Sequence, residues 1–212
     1  MLKFYLQLFV PLSILVPISM GGWFYRQLPN AMRWIWYYLL VTGVFNLTAI
    51  LLSRFHLNNM PVFHVHSVAE FTCCTLFFSN ALNKPHLTVF IRILIIAFAV
   101  MSILNVLLRQ DIYSFNSLPH STEAIVLILL CFVLMYHLLI PKSGDLLMNK
   151  PLLFICLGLF FYFCGSLFLF LFRDYLLTHP FEERFCWALH ATLVLLMYIL
   201  FSFAFYQPQK TT

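Results

Sequence analysis

Charge is what this sequence lacks most. Only 9% of its 212 residues are Asp, Glu, Lys or Arg, against about 25% in an ordinary soluble domain. Twelve basic and seven acidic residues are too few to cover the surface of a water-soluble fold on a chain that is 63% apolar. A bilayer removes that requirement, because lipid then faces the outside of the helices. Glycine is scarce too, and there is no Gly/Ser linker, charge run or low-complexity segment, so one domain is expected over residues 1–212. A ladder of loop cysteines is also missing. Cys73, Cys74, Cys131, Cys156, Cys164 and Cys186 lie in or beside apolar stretches without a CxxC pair. They read as buried free thiols, with a Cys164–Cys186 bridge left open. The net charge of +5 is spread over short loops, which suits membrane-flanking Lys and Arg and argues against a nucleic-acid partner.

What the sequence has in quantity is long apolar runs. A helix needs roughly 20 apolar residues to cross a hydrocarbon core of about 30 Å. Seven runs qualify, at 4–21, 33–53, 61–83, 87–108, 119–140, 151–173 and 183–205. The expected fold is all-α, an integral membrane bundle of seven transmembrane helices. Breaks fall at Pro29, Asn58 to Pro61, Asn83 to Pro85, Pro119, Pro141 to Pro151 and Pro180. Proline suits a first helical turn, so Pro61, Pro119 and Pro151 are expected to start helices. The runs do not alternate apolar with polar residues, which excludes β-barrel strands. The first run follows Lys3 as a signal peptide would, but Pro11 and Pro17 interrupt it and Met20-Gly21-Gly22 is a poor cleavage site. Trp23, Trp34, Trp36, Tyr37 and Tyr38 fall near the expected membrane interfaces.

Lys and Arg in the loops set the orientation. With the N-terminus outside, Arg26, Arg33, Lys84, Arg92, Lys142, Lys150 and Lys210 lie inside, and Lys3, Arg54, Arg109, Arg173 and Arg184 outside. The bias favours a multi-pass cell-membrane protein with its N-terminus outside and its C-terminus cytoplasmic.

Ionisable residues inside a span are expensive, so each marks a candidate site. Alternate helices run in opposite directions, and depth is counted from opposite ends. Counted so, Asn46, His66, Glu70, Asn105, His120, Glu123, Ser166 and His190 all lie within about 14 Å of one membrane face. The opposite half has little to match them: Arg92 can snorkel to the interface, and His137 lies near a helix end. The pattern predicts an outward-facing pocket lined by Asn46, His66, Glu70, Glu123, Tyr162, Ser166, Trp187 and His190, with His120, Arg173 and Glu183 at its mouth. His66 with Glu70 and His120 with Glu123 are spaced to share a helix face. An isolated carboxylate in hydrocarbon is costly, so Glu70 is expected to be protonated or paired with a histidine.

Three functions fit such a pocket. The first is a sensor or binding protein for a small or lipidic ligand. Its signal would pass to a separate partner on the cytoplasmic side. The alternative is a metal-dependent intramembrane lipid hydrolase, with zinc held among His66, Glu70, His120, Glu123 and His190. The chain has no HExxH. The His-x-x-x-His found in the last helix of the alkaline ceramidase and progestin/adiponectin-receptor superfamily is also missing, since Val194 stands four residues after His190. No cofactor is therefore expected. The third is a small-solute transporter, which would favour broken helix pairs and repeat halves that the sequence does not display. A retinal opsin is excluded because 183–205 contains no lysine.

Phe161-Tyr162-Phe163-Cys164-Gly165-Ser166 and Trp187-Ala188-Leu189-His190, together with the length and helix layout, resemble an uncharacterised group of bacterial seven-helix inner-membrane proteins. The resemblance implies the bacterial cytoplasmic membrane as the location and assigns no chemistry.

Overall fold

A computed structural model describes residues 4–140 and 149–206, and the described residues contain helices and no strand. Lys3, Lys142 and Lys210 of the charge pattern lie outside them. The chain begins with a π-helical turn at Tyr5–Phe9, α1 (Val10–Ser13) and α2 (Leu15–Trp23). A 3-10 turn at Tyr25–Gln27 leads into α3 (Asn30–Arg54). Then come α4 (Met60–Leu82), α5 (Pro85–Leu108) and α6 (Ser117–Leu139). The last are α7 (Lys150–Leu171), the short α8 (Arg173–Leu177) and α9 (Pro180–Tyr206).

Five of these helices, α3, α5, α6, α7 and α9, are long and apolar enough to cross a membrane. Two expected spans depart from that standard, for different reasons. Residues 4–21 do not form one continuous helix. The stretch changes helix type after Phe9 and breaks at Ile14, between Pro11 and Pro17, where missing N–H donors weaken the ladder. What remains, Val10–Trp23, is shorter than a bilayer crossing. Helix α4 has the length, 23 residues, but not the apolarity. Its polar residues His64, His66, Ser67 and Glu70 are all buried, so the helix turns a polar stripe inward. Length and apolarity together thus mark five helices as candidate crossings.

Pro61 and Pro151 stand in first helical turns as their chemistry favours. Pro119 is the third residue of α6, which begins at Ser117. Helix α7 ends at Leu171 instead of running to 173, and the chain turns at Phe172 into α8. Helix α9 starts earlier than expected, at Pro180, with Glu182 and Glu183 in the first turn where the helix dipole favours acids. All six cysteines are free.

The helices form a ring. Helix α3 packs on α4, α4 on α6, α6 on α7, α7 on α9, α9 on α2, and α2 on α3. Helix α5 stands outside it, against α4 and α6. Short connections make successive long helices antiparallel, so Arg54, Met60, Leu108, Ser117, Leu171 and Pro180 share one end of the bundle. Toward the other end the centre is apolar, filled by Phe77, Phe78, Phe201 and Phe205. There Lys84 Nζ lies 3.0 Å from His137 Nε2. Ring closure depends on Gly21 of α2, where any Cβ would collide with the Trp36 indole. That indole is anchored, because its N–H donates to the Ile18 carbonyl at 3.0 Å.

Candidate ligand site

Helices α3 and α4 face each other through two matched stripes. Tyr38 and Thr42 are one turn apart on α3, as are His66 and Glu70 on α4. Because the helices are antiparallel, the deeper members meet and the shallower members meet. The Tyr38 hydroxyl donates to Glu70 Oε1 at 2.9 Å, and Thr42 Oγ1 lies 3.1 Å from His66 Nε2. His66 Nδ1 is 3.7 Å from Glu70 Oε2. Glu70 is only 2% exposed, so its carboxyl group depends on these partners and on the Tyr162 hydroxyl that approaches it from α7.

Helix α6 adds the second carboxyl group. Ser67, on the same helix as Glu70, donates from its hydroxyl to Glu123 Oε2 at 2.9 Å. His120 Nδ1 lies 3.3 Å from that same oxygen. Glu123 is 1% exposed, and its other oxygen, Oε1, is buried without a hydrogen-bond partner among the described residues. Glu70 and Glu123 are close enough to act on each other electrostatically, as is His120 with His64, His66 and His190. Two buried carboxyl groups repel when both are ionised, so each draws on hydroxyl and imidazole partners.

Helices α7 and α9 complete the inner layer. The Ser166 hydroxyl donates to the Tyr162 carbonyl at 2.8 Å and lies 3.3 Å from His190 Nδ1. His190 packs on Tyr162 with ring centroids 5.5 Å apart, and Trp187 meets it edge-on at 5.9 Å. Glu70 and His190 are thus linked through Tyr162 rather than directly.

Aromatic rings cover this layer. His120 stacks on Phe170 at 4.9 Å and is tilted against Phe115 at 5.8 Å. The Arg173 guanidinium sits over the Phe115 ring, 4.2 Å from its centroid. A cavity of about 220 Å³ opens here between Met60, Phe115, Leu169, Phe170, Arg173, Leu176, Glu183 and Trp187. Neither Arg173 nor Glu183 belongs to an ion pair among the described residues. His64 Nε2 lies 3.1 Å from the Ser114 carbonyl and ties the loop carrying Phe115 to α4.

Of the residues marked from sequence, His66, Glu70, His120, Glu123, Tyr162, Ser166 and His190 lie in this linked layer. Arg173, Glu183 and Trp187 line the cavity above it. Asn46 does neither, and instead lines a separate cavity between α3 and the N-terminal segment. Asn105 is also apart, donating to Gln110 Oε1 at 2.7 Å in the α5–α6 connection.

Sequence reasoning missed Tyr38, Thr42 and Ser67. Tyr38 reads as an interface aromatic, yet it is 1% exposed and bonded to a carboxyl group. The one-turn spacing of Tyr38 and Thr42, the same as that of His66 and Glu70, was the available signal. Among the described residues, no three His, Cys, Asp or Glu side chains converge to hold one metal ion. No family model, curated protein or solved structure matches the chain.

Proposed function

We propose that this chain is a seven-span membrane protein, receptor-like in layout, that binds a small ligand in the cavity beside Arg173, Glu183 and Trp187. The observation that carries this reading is the stacking of the two layers. A cavity with one cation, one anion and aromatic walls lies over a buried His–Glu network. A ligand that moves Phe115 or Phe170 also moves His120, which stacks on the latter. The small volume favours a compact polar molecule or one lipid headgroup over a bulky ligand. A signalling role needs a separate partner at the opposite membrane face. The hydrolase alternative asks for about three protein ligands around zinc. The His and Glu side chains here pair off in twos, which favours binding over metal-assisted hydrolysis. In the bacterial cytoplasmic membrane the cavity would face outward and the C-terminus inward.

Two results test the reading. The full-length protein in detergent is expected to gain thermal stability with at least one member of a panel of small carboxylates and amino acids. Arg173→Gln and Trp187→Ala should each weaken that ligand about 5–100-fold while leaving the unliganded midpoint within 2 °C or so, because both side chains border open space rather than the core. A stabilising ligand unaffected by either change would place binding elsewhere. For topology, two-sided reporter fusions are expected to put the C-terminus in the cytoplasm and a reporter in the 109–116 loop outside. Both reporters on one side would contradict an antiparallel α6 to α9 with three crossings between them.

A further inference from the structure

Asn46 lies in the α3 span without a hydrogen-bond partner among the described residues, and an unpaired amide in hydrocarbon is costly. Its surroundings show what could satisfy it. A cavity of about 610 Å³ runs along the outer face of α3, walled by Leu8 and Pro11 on one side and Ala49, Ile50 and Phe63 on the other. It ends at Ser53, Arg54 and Asn59, where α3 meets the connection to α4. Arg54 is exposed and has no ion pair among the described residues. Asn46 lies eight residues before Arg54, about 12 Å lower along the helix.

The groove is thus amphipathic along its length. A cation and small polar groups stand at the membrane edge, one amide donor sits below, and apolar walls continue alongside. A glycerophospholipid has the same order of chemistry, with phosphate at the top, ester carbonyls below it and acyl chain beyond. We propose that this groove holds one anionic glycerophospholipid. Its phosphate lies against Arg54 and Asn59, an ester carbonyl accepts from the Asn46 amide, and its chain lies between Pro11 and Ile50. The cavity is distinct from the one lined by Arg173, so each proposal stands without the other.

The test is lipid retention by the full-length protein, equilibrated in detergent with equimolar phosphatidylglycerol and phosphatidylcholine and read by native mass spectrometry. One lipid per chain is expected to be retained, with phosphatidylglycerol enriched about three- to ten-fold, as one well-placed cation provides. Arg54→Gln should bring the ratio to about one, and Arg54→Lys should keep most of the enrichment. Asn46→Leu should lower retention of both lipids together and leave their ratio unchanged. Thermal midpoints identify a variant that is misfolded, and Arg54→Lys then carries the test. A parent ratio near one, or Arg54→Gln with the parent's ratio, overturns the proposal. So does an equal loss of enrichment in Arg109→Gln, a cation at the same end of the bundle. Displacement of the retained lipid by millimolar glycerol 3-phosphate would show a headgroup site without a chain site, and would overturn it as well.

Discussion

Glu70→Ala is expected to destabilise the purified protein by about 3–5 kcal/mol, the scale seen when one member of a buried polar pair is removed. The cause is what the substitution leaves behind. The Tyr38 hydroxyl, which donates to Glu70 Oε1, loses its acceptor, and His66 loses the carboxyl group 3.7 Å away. Both remain in an interior where an unmade hydrogen bond costs about 1–3 kcal/mol. Glu70→Gln keeps a carbonyl for Tyr38 and should cost less than half as much. Tyr38→Phe, which orphans only one carboxyl oxygen, should fall between the two. Denaturation in mixed micelles reads all three. If Glu70→Ala were as stable as the parent, the Tyr38–Glu70–His66 group would not be a packed element of the native bundle.

The second large effect is expected at the seam that closes the ring. A Cβ on Gly21 would overlap the Trp36 indole and stand 3.2 Å from Phe205 Cδ2. Each neighbour is held where it stands. Trp36 is tethered to the Ile18 carbonyl and packs on Tyr25 with centroids 4.9 Å apart, while Phe205 is 1% exposed. Overpacking of this kind costs about 1–3 kcal/mol even for small additions. Gly21→Leu is expected to reach at least the top of that range and to lift α1 and α2 away from α3 and α9. Trypsin should then cut faster at Arg26, in the turn that follows α2. Gly21→Ala should be milder, and adding Trp36→Ala should recover part of the loss, a coupling expected of residues in contact. Cleavage at Arg26 unchanged in Gly21→Leu would mean that the N-terminal segment is not held by this contact.

Most of the helix layout was legible because apolar runs and prolines are local signals. The length of α5, for example, follows from a run whose ionisable residues are only His86 in the first turn and Arg92. The polar residues were legible for a different reason. Burying Glu70, Glu123 or His120 in hydrocarbon is so unfavourable that their presence in the sequence already implied partners. The identity of those partners was not legible. Tyr38 and Trp36 are both aromatic residues two positions apart, yet one bonds a carboxyl group in the centre and the other anchors a helix seam. Only the rotation of α3 about its axis separates those roles, and composition does not encode it. Asn46 failed for the same reason. Its depth matched that of the other polar residues, but depth says nothing about which side of the helix it occupies. The N-terminal run carried its own warning, since Pro11 and Pro17 interrupt it and remove two backbone donors, but a hydropathy sum gives no measure of how far the helix is shortened.

The ring is closed by its two most distant parts, and the Tyr5 hydroxyl reaches Thr192 Oγ1 at 3.0 Å across 187 residues of sequence. This gives the molecule an order of assembly. At about 5–20 residues per second of synthesis, α9 is finished roughly 6–25 s after α4. During that interval Glu70 has already been made, while His190 does not yet exist. Its first partners must be those made earlier: Tyr38 on the preceding helix and His66 one turn away. The α3–α4 hairpin therefore carries within itself the hydrogen bonds that make its carboxyl group tolerable in a nascent chain, and Glu123 later arrives to a Ser67 hydroxyl already in place. The cavity beside Arg173 and Trp187 must wait for the last helix, as must closure of the ring itself.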